Sequence, residues 1–193
     1  YFMDGSFDDG LLVIPAIETK FKDYNNRIDE HHIMSFYYKF ACMHFGAGQN
    51  EKCIFYLNKI ISNKSLSMRE DLLCFSRVLN LVAHYEAGQD YHLQSLIKST
   101  YHFLLKMNDI QEGQKEMIKF IKGLQDIYPQ DINKAFKKLH AKLKEFENHP
   151  FEGRAFLYLD IISWLESKIG NKPVGEIVRE KYLAQNAKKK NKF

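Results

Sequence analysis

Proline and glycine are scarce in this chain, 4 and 10 among 193 residues. An all-β fold of this length would turn roughly every ten residues and would use more of both. Long apolar runs are missing too. The longest near the N-terminus, "LLVIPAI" at 11–17, holds a proline and falls well short of the ~20 residues a bilayer span needs. Cysteine is rare, and the 3 present cannot all pair within one chain. Cys42, Cys53 and Cys74 sit in apolar helical contexts, which reads as reduced core thiols in a cytoplasmic protein. Strong charge of one sign is also absent. The net charge is +4, and much of the excess collects in "KKKNKF" at 188–193, a basic tail on a nearly neutral body. No Walker motif, phosphate-binding glycine loop or nucleophile elbow occurs, so no cofactor and no enzymatic activity are expected. The first residue is Tyr1 rather than Met, which reads as a fragment of a longer chain.

What the chain has is helix punctuation at regular intervals. Ser67 followed by Glu70, and Asp109 followed by Glu112, read as N-terminal caps. Pro129, Pro150 and Pro173 suit first turns, and Gly48, Gly88 and Gly170 suit helix ends. Between them apolar residues recur every three or four positions: Phe36, Phe40, Met43; Ile54, Leu57, Ile61; Leu72, Phe75, Leu79, Val82; Leu93, Leu96, Thr100, Phe103; Phe136, Leu139, Leu143, Phe146. No sustained period-two segment competes. The pattern predicts an all-α fold with about nine helices, over 11–27, 32–46, 49–61, 68–86, 89–106, 110–125, 130–147, 152–169 and 174–186. It also predicts one domain over 1–187 with the tail at 188–193.

One phrase is written twice. "HFGAGQNEKC" at 44–53 returns as "HYEAGQDYHL" at 84–93. After the first helix the rest pair as antiparallel hairpins starting near 32, 68, 110 and 152, a spacing suited to stacked helical repeats.

Residues 34–66 resemble a tetratricopeptide repeat. Tyr37 takes the large position, Phe40-Ala41 the leucine–small pair, Phe45 the aromatic, Gly48 the turn, Cys53 the small residue and Leu57 the next large one. Ile60 and Ser65 depart from the pattern, and a second unit at 74–106 keeps Tyr85 and Gly88 but has Asn80-Leu81 and Leu93 at the small packing positions. "DIISWLESKI" at 160–169 is similar to segments of bacterial helical-repeat proteins. The resemblance implies stacked antiparallel hairpins and a concave groove. That groove would be lined by Ser35, Tyr38, Lys39, Cys42 and Phe45 from the first unit and Phe75, Val78, Leu79, Val82 and Tyr85 from the second. Tyr38 and Cys42 stand where the members that clamp chaperone tails carry Lys and Asn, so chaperone-tail binding is not expected. Such an apolar surface has two readings: an open groove for a peptide or helix, or core buried under a further helix or preceding residues.

Other clusters yield less. Glu30-His31-His32 is metal-like in composition, but adjacent helical residues do not share a face, and a polar helix start explains them. His44 and His84 recur at equivalent positions and read as packing residues; Cys42 and His44, two apart, cannot form a nucleophile–base pair. Asp160 interrupts an apolar run and needs a partner, Arg154 or a neighbouring lysine. Lys134, Lys138 and Lys142 share one helical face opposite the Phe136–Phe146 stripe, a solvated face or a nucleic-acid face. The sequence reading is a non-enzymatic scaffold that binds a protein or peptide partner. The alternative is an RNA- or DNA-associated protein using the basic helix at 134–144 and the tail.

Overall fold

The computed structural model describes residues 3–23, 28–63, 70–88, 90–106, 112–146 and 160–190. Among them are nine α-helices and no strand: α1 (Phe7–Asp23), α2 (Glu30–Gly46), α3 (Asn50–Ile61), α4 (Glu70–Glu86), α5 (Asp90–Leu104), α6 (Glu112–Gly123), α7 (Ile132–Phe146), α8 (Ile161–Gly170) and α9 (Val174–Lys190). Short 3-10 turns at Leu124–Asp126 and Pro129–Asp131 join α6 to α7. Each helix packs on those before and after it in the chain, the arrangement of a solenoid.

Local chemistry sets the ends. Asp29 caps α2, its Oδ1 accepting from the His32 backbone N–H at 2.9 Å. Gly48 (φ +72°) and Gly88 (φ +66°) reverse the chain after α2 and α4 in the left-handed region, where a side chain would be strained. At the end of α8 that task falls to Asn171 (φ 51°), one residue beyond Gly170. The caps read at Ser67 and Asp109, the first turn at Pro150, and Arg154 lie outside the described residues.

Three boundaries differ from the sequence reading. The first helix begins at Phe7 rather than 11, with Pro15 inside it. Among the described residues, Asp160 stands at the start of a helix. It caps α8, accepting from the Ser163 N–H at 2.9 Å and the Ser163 hydroxyl at 2.5 Å. The last helix runs on through Lys190, so the first three residues of the predicted tail continue α9.

The core is one cluster spanning α1 to α8. Ala41 and Cys53, both fully buried, are small where α2 and α3 run side by side. Phe21 of α1 sets its ring edge-on to Phe36 (5.4 Å) and Tyr37 (6.2 Å) of α2. Helix α4 is buried on nearly every side, between α2, α3, α5 and α6. Farther along, Phe136 of α7 meets the Trp164 ring of α8 edge-on at 5.8 Å. A second, smaller cluster of Phe7, Met43 and Val178 ties α1 to α2 and α9.

Candidate functional site

The surface implied by the repeat resemblance is filled. Tyr38, Cys42, Phe45, Phe75, Val78, Leu79 and Val82 are all buried in the core, Leu79 completely. Ser35 and Tyr85 are half-buried and Lys39 is exposed. The buried seven are corrected here from groove lining to core. The physical reason is α4, which is buried on nearly every side, polar Ser76, Asn80 and His84 included, because α2, α3, α5 and α6 surround it.

The cysteines are free and buried. Burial pushes the Cys42 thiol up to about 12 and the Cys53 thiol well above its ordinary value. A thiol so held supplies almost no thiolate near neutrality. His44 stacks flat on Tyr56 with ring centroids 5.4 Å apart, and its Nδ1 stands 3.1 Å from Gln49 Oε1. His84 is likewise buried on α4. In the Glu30-His31-His32 turn, His32 Nδ1 lies 2.7 Å from Asp29 Oδ2 and Glu30 accepts from Asn63 at 2.5 Å. Among the described residues no group of three or more His, Cys, Asp or Glu side chains could hold a metal ion.

Two polar assemblies leave no signal in the sequence pattern, because their members come from distant helices. In the first, Lys181 of α9 donates to the Ser163 hydroxyl (2.8 Å) and pairs with Glu166 (2.8 Å), whose other oxygen meets His140 Nε2 at 3.0 Å. A serine–lysine pair suggests nucleophilic catalysis. Here Ser163 is fully buried and its hydroxyl is bonded to Asp160, so no substrate atom reaches it. The assembly joins α7, α8 and α9. The second is a cleft of about 800 Å³ where the start of α1 and the α2–α3 turn face α8 and α9. Its charges are mixed in sign and mostly spoken for. Glu86 accepts from Trp164 Nε1 and Lys168, Lys172 pairs with Glu180, and Arg179 donates to the Asp4 carbonyl.

The basic face is present in part. Lys134, Lys138 and Lys142 are exposed on α7. Lys142, however, is held by Glu116 of α6 at 2.7 Å, and Glu116 also accepts from Lys119 at 2.8 Å. The hydrogen bond to Glu116 raises the Lys119 ammonium, and the bonds from Lys119 and Lys142 lower the Glu116 carboxyl.

Beside these lysines lies the feature that sequence reading missed. Helices α5 and α6 bound a groove of about 740 Å³. Buried Ile97, Leu104 and Ile118 are apolar lining from both helices. Tyr101 and Leu105 border it too and stand 51% and 58% exposed, so that they extend the buried lining into one contiguous apolar surface. Lys98 from α5 and Lys115, Lys119 and Lys122 from α6 line it as well, against one acid, Asp126. Lys115 is paired with Glu112 and Lys119 with Glu116, whereas Lys98 and Lys122 take part in no ion pair among the described residues. The signal was in the sequence. Ile97, Tyr101 and Leu104 form a second apolar stripe on α5, continued by Leu105 just after it and lying beside Leu93–Leu96–Thr100–Phe103, and lysines recur on α6 at helical spacing. No helix among the described residues is long and apolar enough to cross a membrane. No protein-family model, curated protein or solved structure matches the chain.

Proposed function

We propose that the protein is a non-enzymatic interaction module, a cytoplasmic scaffold of tetratricopeptide-like hairpins, and that its partner segment seats between α5 and α6 rather than in a concave repeat groove. The observation that carries this reading is the pair Tyr101 and Leu105, half-exposed beside a buried apolar floor. An apolar recess of this size on a folded chain is the form that peptide anchors fit. The left-handed Gly48 and Gly88 turns and the small residues Ala41 and Cys53 support the repeat likeness. The buried free thiols support a reducing compartment.

Magnitudes limit the affinity. Completing the burial of Tyr101 and Leu105 contributes on the order of 2–3 kcal/mol together. A micromolar complex needs about 8 kcal/mol net. The rest has to come from the partner's other contacts, so the reading is of a modest, reversible interaction.

The test is selection of a random peptide library on the purified protein, followed by affinity measurement on variants. Selected peptides are expected to lose binding on Tyr101→Glu and Leu105→Glu and to keep it on Tyr128→Ala, an exposed aromatic outside the groove. Peptide binding indifferent to both groove changes would overturn the reading. Steeply salt-dependent binding of single-stranded RNA, lost on Lys134→Glu with Lys138→Glu, would replace it with the nucleic-acid one.

A further inference from the structure

From the charges around the same groove, and resting on the interaction reading above, we infer that its partner is an acidic amphipathic helix. The first support is geometry. Lys98 to Leu104 on α5 and Lys115 to Lys122 on α6 each cover about two helical turns, or roughly 10 Å. That length matches a short helix laying residues i, i+3, i+4 and i+7 into a groove. The alternative mode, strand addition, needs a sheet edge, and the described residues contain no strand.

The second support is charge. Four lysines and one acid line the groove. Glu112 and Glu116 satisfy Lys115 and Lys119, which leaves Lys98 and Lys122, one on each wall, without an acid among the described residues. Both are exposed, so their ammonium groups are free to meet carboxylates on the two flanks of an incoming helix. A basic helix would meet like charge on both walls, and a neutral one would leave this field unused. An anionic membrane is the weaker fit: only Tyr101 and Leu105 project, too little apolar area to insert, and the floor of Ile97, Leu104 and Ile118 is recessed.

The experiment uses three helix-forming peptides of about 15 residues with one common apolar stripe and Glu, Gln or Lys at the flanking positions. Fluorescence anisotropy is read against the wild-type protein, Tyr101→Glu, and the double variant Lys98→Glu/Lys122→Glu, with circular dichroism as the folding control. The acidic peptide is expected to bind about fivefold to tenfold tighter than the neutral one, with the advantage lost at high salt. The double variant is expected to reverse the order and favour the basic peptide. If acidic and neutral peptides bind alike and both need Tyr101, the inference fails while the interaction reading stands. If no peptide binding depends on Tyr101, both fail. Binding of phosphatidylserine vesicles that depends on Lys98 and Lys122, with no acidic-peptide preference, would overturn it in favour of a membrane surface.

Discussion

The indole Nε1 of Trp164 donates to Glu86 Oε1 at 3.0 Å, joining α8 to the end of α4 across 78 residues of sequence. Trp164 is 1% exposed, and the other Glu86 oxygen holds Lys168 at 2.5 Å. Removing the carboxylate leaves a buried indole N–H without its acceptor. Glu86→Ala is therefore expected to cost about 1–3 kcal/mol. Glu86→Gln keeps an acceptor and loses only a partly exposed ion pair, so it should cost less than about 1 kcal/mol. Trp164 is the single tryptophan, so its fluorescence in urea melts reports the change directly. Equal losses for the two variants would mean the indole bond contributes nothing.

Two kinds of glycine separate two kinds of strain. A Cβ at Gly88 would meet nothing within 4 Å, but φ is +66°. Gly88→Val should cost about 1–2 kcal/mol through backbone geometry alone. At Gly46 a Cβ would stand 2.5 Å from the Phe7 ring of α1. Gly46→Ala should cost about 1–3 kcal/mol by overpacking. Shrinking the ring with Phe7→Val should relieve the second loss and leave the first untouched in thermal melts. A neutral Gly46→Ala would mean α1 does not dock there.

The all-α class and most helix boundaries among the described residues are legible because amphipathic spacing and turn glycines act locally. Phe136, Leu139, Leu143 and Phe146 read as one stripe, and the first three are buried while Phe146 is half-buried. Gly48 and Gly88 were read as turns and carry positive φ. What failed was anything set by neighbours distant in sequence. The resemblance to a tetratricopeptide repeat implies groove residues on α2 and α4, but the residues of "LLCFSRVLNLVAHY" are buried on nearly every side of α4, Ser76, Asn80 and His84 included, and that depends on the helices packed around it. The α5–α6 groove was missed for the mirror reason. Tyr101 and Leu105 look like any apolar helix positions until the fold leaves them half uncovered. Asp160 was recognised as needing a partner, but its role as a cap depends on where α8 begins.

Acid should weaken the fold in two separable steps. Burial pushes the His44 imidazole below its ordinary 6.5, and Lys52 adds to this, while Gln49 and Glu18 oppose it. The unfolded chain then takes up the proton first as pH falls. Stability from neutral His44 is present above pH about 6.5 and is lost as pH drops through the folded value. For Glu166, burial pushes the carboxyl up. Bonds and charges from Lys181 and His140 outweigh that and leave it below its ordinary 4.5. Its contribution is present above pH about 4.5 and is lost below. In urea titrations across pH, His44→Phe should remove the upper step and Glu166→Gln the lower one. A wild-type profile flat from pH 7 to about pH 4.5 would contradict the His44 assignment.

Tyr38 and Lys39 are neighbours in the sequence and opposites in the structure, and together they decide between core and groove. Tyr38 is 2% exposed within the main cluster. Lys39 is exposed, with its Nζ 5.4 Å from the centroid of the Phe36 ring. Truncating a buried aromatic removes its transfer free energy and leaves a cavity that rigid neighbours cannot close, so Tyr38→Ala should cost about 3–5 kcal/mol. Lys39→Ala loses one weak surface contact and should stay within about 0.5 kcal/mol. Half-buried Tyr85, the second-unit aromatic, should fall between them. Chemical denaturation of the three variants gives the ranking. A Tyr38→Ala loss under about 1 kcal/mol would mean that side chain sits in open space, and the concave groove would return as the docking surface in place of α5–α6.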